Sequence, residues 1–176
     1  MTGDEALIEK AAAGDEEAFS ELYHAYRDWV YRLAWRFLKD EGLAQDVVQE
    51  TFVYLIKKLP ELQLTARMTT FLYPVVKNLC LNLLRARRPH DPGEQLLLEI
   101  PAPKPSSPSG LDDLRTVLAV LPVEQAEVLT MRFIDDMQLA EIAQALDIPL
   151  GTVKSRLHHA LRALRESPGC RRYFLE

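Results

Sequence analysis

The stretch LAEIAQALDIPLGTVKSRLHHALRALR, residues 139–165, decides how the chain folds. In its second part Val153, Leu157, Leu161 and Leu164 recur at helical spacing, so one helix face is apolar. Lys154, Ser155, His158, His159, Arg162 and Arg165 fall on the other face. In its first part Leu139, Ile142, Ala143 and Leu146 mark a shorter amphipathic helix, and residues 147–151 leave only a brief connection between the two. Two short helices joined this way outline a helix-turn-helix, whose second helix lies in the major groove of DNA. An ordinary helical hairpin buried in a bundle shares that outline. Charge favours the first reading: residues 154–172 carry Lys154, Arg156, Arg162, Arg165, Arg171 and Arg172 against the single acid Glu166, in a chain whose net charge is -5.

That net charge is unevenly spread. Residues 1–60 hold seven Lys/Arg against twelve Asp/Glu, whereas residues 61–88 hold five against one. Positive charge therefore gathers in two places, around Arg67 to Arg88 and around Lys154 to Arg172. Nucleic-acid binding needs local positive charge, because each neutralised phosphate releases a counterion, and it does not need a basic whole protein. The acidic first third points instead to a protein partner. At 176 residues the chain allows one domain or two small ones, and 48% hydrophobic with 27% charged residues is a soluble globular composition. No apolar run reaches the roughly 18 to 20 residues of a membrane span, so no membrane insertion is expected. The acidic start lacks a secretory pattern, so a cytoplasmic location is expected. Cys80 and Cys170 lie far apart and outside any metal-spaced pair, which favours buried or incidental thiols over a disulfide.

Taken in order, residues 6–13 suggest a short helix stopped by Gly14 and restarted at Asp15 or Glu16. Phe19, Leu22, Tyr23, Tyr26, Val30, Leu33, Ala34 and Phe37 then keep a helical rhythm, with Arg27, Asp28, Arg32 and Arg36 turned away. Asp40 is a good cap for a further helix whose apolar face is Val47, Val48, Thr51, Phe52, Leu55, Ile56 and Leu59, ended by Pro60. On that helix Asp46, Gln49 and Glu50 stand at i, i+3 and i+4, which groups three acceptor-rich side chains. On these residues alone a solvated face is the ordinary reading.

Residues 63–70 are polar without a sustained period and read as a loop. Thr69 or Thr70 can cap a helix starting near Phe71, with Pro74 in its first turn, where proline is tolerated. Val75, Val76, Leu79, Leu83 and Leu84 form its apolar side, and Lys77, Asn78, Asn82, Arg85, Arg87 and Arg88 its polar side. A loop with aromatic neighbours leading into an Asn/Arg helix suits single-stranded nucleic acid, and equally a well-solvated helix. Residues 89–110 contain six prolines and read as an extended linker, with residues 96–100 as one apolar patch able to dock. Beyond it Ser109 and Asp112 have capping-box spacing for a helix of Leu111, Leu114, Leu118 and Leu121. Pro122 closes that helix or opens the next, where Val128, Leu129, Met131 and Phe133 are the apolar candidates. Asp135 and Asp136 mark a turn. The expected fold is all-α: two small helical domains, 1–88 and 111–176, joined by the flexible linker 89–110.

With both basic regions placed, AFSELYHAYRDWVYRLAWRFL, DVVQETFVYLIKKL, FLYPVVKNLCLNLLRARR, LPVEQAEVLTMRF and the opening stretch stand in an order that resembles a bacterial sigma factor of the sigma-70 family, specifically the compact extracytoplasmic-function group. The resemblance covers nearly the whole chain. It implies that Asp46, Gln49 and Glu50, with Phe52 nearby, dock on the clamp helices of the largest subunit of core RNA polymerase. That reverses the solvated-face reading. It implies that the minus-ten promoter element is opened and read by Gln63, Arg67, Met68, Phe71, Lys77, Asn78 and Asn82, with Arg85, Arg87 and Arg88 on phosphates. The minus-35 element falls to Thr152, Lys154, Ser155, Arg156, His158, His159 and Arg162, of which Arg156 and Arg162 mainly grip the backbone. An anti-sigma protein is a further partner implied by the resemblance, and no cofactor or metal is.

The sequence departs from the family pattern in places. Phe71 stands where tryptophan is usual, Pro74 where a basic residue is common, Ala126 where arginine is common, and Asp147 and Pro149 where the turn usually carries glycine and serine. A helix-turn-helix regulator that never binds polymerase leaves the DVVQETF helix and the first basic region without a role. A helical interaction protein with no DNA role leaves both basic regions unexplained. Catalysis fits least, because there is no phosphate-cradling glycine loop, no HExxH and no nucleophile-base motif. His158 and His159, being adjacent on a helix, point about 100 degrees apart and cannot share a metal as i, i+4 histidines can.

Overall fold

A computed structural model of the protein describes residues 3–87, 118 and 121–166. The chain divides into two compact units, Met1–Pro92 and Gly93–Glu176. In the first, helix α1 (Gly3–Ala12) is followed by α2 (Glu16–Leu38), α3 (Glu41–Lys58), a 3-10 turn (Leu59–Glu61) and α4 (Met68–Arg87). The described part of the second holds α5 (Val123–Phe133), α6 (Leu139–Leu146) and α7 (Leu150–Glu166).

Short polar side chains set the helix starts. Gly14, at φ 93, takes the left-handed turn that ends α1. Asp15 then caps α2 by accepting from the Glu17 and Ala18 amides at 3.0 and 3.1 Å. Between α2 and α3, Lys39 takes a left-handed conformation, donating its amide to the Trp35 carbonyl while its ammonium lies 3.9 Å from the centre of the Trp35 ring. Asp40 caps α3 through the Leu43 amide at 3.0 Å. Helices α2, α3 and α4 pack on one another, and α1 lies against α2 and the 3-10 turn. Leu22, Val30, Leu33 and Ala34 from α2 meet Ala44, Val47 and Leu55 from α3 and Leu72, Val76 and Cys80 from α4 in this core. Each large apolar side chain so buried contributes roughly 1.5–3 kcal/mol.

Helix α4 starts at Met68 rather than near Phe71, because the Arg67 carbonyl already accepts from the Thr70 and Phe71 amides at 3.0 and 3.4 Å. Pro74 therefore sits inside the helix, where it cannot donate to the Thr70 carbonyl one turn back. Ile56, assigned to the buried face of α3, is 51% exposed, since it falls on the side away from Val47, Thr51 and Leu55. Tyr73 and Cys80 take core positions on α4 beside Val76.

In the second unit α7 packs against α5 and α6. Leu121, Ala126, Leu129, Ala160 and Leu164 form a core cluster, with Leu118, Leu157 and Leu161 packed against it. Pro122 caps α5, its carbonyl accepting from the Gln125 and Ala126 amides. Phe133 was expected on the apolar side of α5 and is 63% exposed. The chain turns back at Asp135 and Asp136 so that Met137 bonds its amide to the Met131 carbonyl at 3.0 Å and fills the core instead. Helix α6 opens with the Glu141 carboxylate accepting from the Gln138 amide at 2.7 Å. It closes on Asp147, left-handed at φ 52, with the Asp147 amide on the Gln144 carbonyl and the Ile148 amide on the Ala143 carbonyl. That is the Schellman pattern, in which glycine is the usual residue. The expected linker at 89–110, the capping pair Ser109 and Asp112, Leu111 and Leu114, the patch 96–100 and the C-terminal residues from 167 onward lie outside the described residues.

Candidate nucleic-acid interface

On α3 the core takes Ala44, Val47, Val48, Thr51 and Leu55, so Asp46, Gln49 and Glu50 are left exposed together on the opposite side. Val53, Tyr54 and Ile56 are exposed with them. The face thus combines acceptor side chains with an apolar part. Helical spacing puts Val53 on the line of Asp46 and Glu50, and that was the signal available in the sequence. Phe52 does not join this surface. It is 4% exposed, with its ring edge-on to Tyr23 at 4.7 Å and to Phe19 at 6.4 Å, so it supports the face from the core.

Gln63 and Arg67 are exposed in the loop 62–67, which joins the 3-10 turn to α4. Met68, expected at the minus-ten surface, is fully buried because it is the first residue of the α4 stripe continued by Leu72, Val76 and Cys80. Phe71, Asn78, Asn82 and Arg85 follow at i, i+7, i+11 and i+14 and share one side of the helix. Phe71 is half-buried and stacks on Tyr54 with ring centres 6.3 Å apart and planes at 26°. Asn78, Asn82 and Arg85 are exposed, and Arg85 Nη1 donates to the side-chain Oδ1 of Asn82 at 3.3 Å. Lys77 is half-buried. Arg87 donates from both Nη1 and Nη2 to Asp40 Oδ2 at 3.3 Å, so its charge is shared with the cap of α3. The Leu43 amide, and after it the Arg87 guanidinium, hold the Asp40 carboxyl below its ordinary range against an opposing desolvation. Arg88 lies outside the described residues.

On α7 the buried stripe is Val153, Ala160 and Leu164, with Leu157 and Leu161 beside it. Lys154, Ser155, His158, His159 and Arg162 are all exposed on the far side. Thr152 and Arg156 are half-buried on its flank, and the Thr152 amide is already bonded to the Pro149 carbonyl at 2.9 Å. The His158 and His159 rings meet edge to face, 5.7 Å between centres. No group of three metal-ligating side chains occurs among the described residues. Burial pushes the Cys80 thiol up to about 12, which leaves it protonated and unreactive at neutral pH. Cys170 lies outside the described residues.

An acceptor face, an aromatic and amide stripe and a basic second helix of a helix-turn-helix thus occur in one chain. The Sigma-70 region 2 family model matches residues 22–90, and the Sigma-70, region 4 model matches residues 111–164. The RNA polymerase sigma-H factor of Pseudomonas aeruginosa is 30% identical, over 92% of this chain and 91% of its own length. The chain belongs to the sigma-70 family. Its relatives include the extracytoplasmic-function sigma factor SigW of Bacillus subtilis, 27% identical over 90% of this chain and 93% of its own. The solved structure of CnrH in complex with the cytosolic domain of CnrY superposes with a TM-score of 0.67 at 25% identity, covering 91% of this sigma factor and 93% of that chain. The protein is an extracytoplasmic-function sigma factor that directs transcription, and no helix among its described residues is long and apolar enough to cross a membrane.

Proposed function

We propose that this sigma factor performs promoter-specific initiation through three separate surfaces and without covalent chemistry. Asp46, Gln49 and Glu50 on α3, extended by Val53 and Ile56, take the clamp helices of core RNA polymerase. Phe71, Asn78, Asn82 and Arg85 on α4, with Gln63 and Arg67 in the loop before it and Lys77 beside it, take the opened minus-ten strand. Aromatic stacking, amide hydrogen bonds and cations that follow the backbone are what single-stranded DNA needs. Lys154, Ser155, His158 and His159 face the bases of the minus-35 duplex, while Thr152, Arg156 and Arg162 hold its backbone. On this reading residues 1–88 form the polymerase and minus-ten domain, 89–110 the linker and 111–176 the minus-35 domain, and the protein works in the cytoplasm.

The observation that carries the proposal is the wheel of α7. Every residue assigned to base reading is exposed on the side opposite Val153, Ala160 and Leu164. A covering anti-sigma protein is part of the same proposal, supported by CnrH having been solved with the cytosolic domain of CnrY. Run-off transcription with core polymerase on a randomised promoter library tests the function and returns the recognised sequence. Enrichment of two elements at minus-35 and minus-ten spacing is expected, with Glu50→Lys losing polymerase binding. Transcription that is no more selective than that of core polymerase alone would sink the reading.

A further inference from the structure

Tyr54 on α3 belongs to neither set of first-unit residues assigned above, yet it stands between them. Successive helix residues turn by about 100 degrees, so Tyr54 and Ile56 fall on opposite edges of the exposed face of α3. Along its own line Tyr54 has Glu50 one turn before it and Lys58 one turn after it, both exposed. The face therefore passes from acid to cation at this ring. Sideways, Tyr54 meets α4, its ring near-parallel to that of Phe71 with planes at 26° and centres 6.3 Å apart. Rings in full face contact stand about 3.5–4 Å apart, so at this distance neither ring covers the other. Tyr54 is 38% exposed. Phe71 begins the stripe continued by Asn78, Asn82 and Arg85, and Tyr54 extends that stripe across onto α3.

We infer that Tyr54 is a further DNA-contacting residue of the minus-ten surface: with Phe71 it forms a two-ring platform on which an unstacked base of the opened strand stacks. The inference rests on the assignment of Phe71 and the α4 stripe to that strand. Stacking asks only for an exposed π-face, which every base can match, so the platform supplies affinity for the opened strand rather than sequence choice. Bases in an intact duplex are stacked on one another, so the platform binds the melted promoter better and shifts the equilibrium towards it. Docking on polymerase is separate, because Gln49, Val53 and Ile56 lie at least about 100 degrees around the helix from this ring.

The test uses the full chain bound to core polymerase and a single-stranded oligonucleotide carrying the minus-ten element that the promoter library returns, with 2-aminopurine replacing one base at a time. Tyr54→Leu keeps an apolar side chain and removes the π-face, so it should weaken oligonucleotide binding roughly tenfold, the size of one base–aromatic stack. Tyr54→Phe should bind within about twofold of wild type and Tyr54→Trp at least as tightly, since a ring remains. At one position the fluorescence quenched by wild type and Tyr54→Phe should return in Tyr54→Leu. Phe71→Leu should also weaken binding, and adding Tyr54→Leu to it should weaken binding again, as a ring that itself touches the base requires. Affinity for core polymerase should stay at the wild-type level in every Tyr54 variant. Wild-type oligonucleotide binding by Tyr54→Leu beside a weakened Phe71→Leu would overturn the platform. So would loss of core polymerase by a Tyr54→Leu chain whose unfolding midpoint is unchanged, which would place Tyr54 on the clamp face. No further loss in the double variant would make Tyr54 a support for Phe71 and overturn the contact. If neither ring matters, the assignment of this face to the opened strand has failed and the platform falls with it.

Discussion

Helices α4 and α7 both present polar faces assigned to DNA, and they are built in opposite ways. On α7 the core stripe and the exposed face are cleanly separated, with Val153, Ala160 and Leu164 inward and Lys154, Ser155, His158, His159 and Arg162 outward. On α4 the two roles are mixed. Phe71 leans on Tyr54, Arg85 bonds Asn82, Arg87 bonds the cap of the neighbouring helix, and Met68 is core. A helix that enters the groove of an intact duplex must offer its face to a rigid partner, so that face is best left free of tertiary ties. A surface that takes an unstacked strand has to hold its own shape without help from a duplex, and tied side chains give it that rigidity.

The largest expected effect lies on α3, in the unit that also holds the mixed helix α4. Phe52→Ala removes a ring packed against Phe19 and Tyr23 and should destabilise the first unit by about 3–5 kcal/mol. Phe52→Leu keeps the core filled and should cost less than about 1.5 kcal/mol. Urea unfolding of both variants, paired with polymerase binding, separates a core role from a contact role. If Phe52→Leu folds normally and loses polymerase, Phe52 touches polymerase directly and its assignment to the core is incomplete. The separated side predicts the reverse. Arg162→Ala should leave stability within about 0.5 kcal/mol of wild type. It should also weaken minus-35 duplex binding uniformly across sequences and reduce the salt slope by about 1. An Arg162→Ala chain that melts early would place Arg162 in the fold rather than on the DNA.

The same contrast governs what could be read from the sequence. The α7 pattern was legible because one helix, one period and one buried stripe account for it, and only Ala160 was missed, an alanine being a weak apolar signal. On α4 the period alone misplaced the start by three residues. Thr69 and Thr70 are good caps by composition, yet the carbonyl of Arg67, which no composition rule marks, begins the helix. Phe52 and Met68 were assigned to surfaces through the family resemblance, and tertiary packing put both inside. Phe133 and Ile56 erred the other way, because amphipathic spacing identifies a candidate inner face and cannot say where the neighbouring helix stops covering it. The Asp40–Arg87 and Asp4–Tyr26 ties join residues 47 and 22 positions apart, and nothing local to either member announces them.

A smaller effect is expected at the turn of the helix-turn-helix. Asp147 holds the left-handed position of a Schellman cap, where a side chain costs backbone energy that glycine avoids. Asp147→Gly should raise the stability of the second unit by about 0.5–1 kcal/mol, measured by thermal unfolding. Affinity for minus-35 duplex should not change, since the face of α7 does not include the turn. A loss of affinity in this variant would mean that the turn itself contacts DNA and that the separation on α7 is less clean than its burial pattern implies.

The smallest effect lies at Arg87, where the mixed side predicts a pH signature. Asp40 is held below its ordinary range in the folded chain, first by the Leu43 amide and then by Arg87. A lowered carboxyl stabilises the fold above its unfolded value, and that contribution is lost as pH falls through the folded value. Arg87→Ala removes only the guanidinium share, because the Leu43 amide remains. The wild type should therefore exceed the variant in stability by a constant amount at neutral pH, with the gap closing only below the usual carboxylate range. Added single-stranded minus-ten DNA decides whether Arg87 also serves the DNA surface. If it does, wild type should bind more tightly than Arg87→Ala, and Asp40→Asn, which frees the guanidinium, should bind more tightly still. Equal binding by all three would make Arg87 a strut between α3 and α4 and take it off the DNA surface.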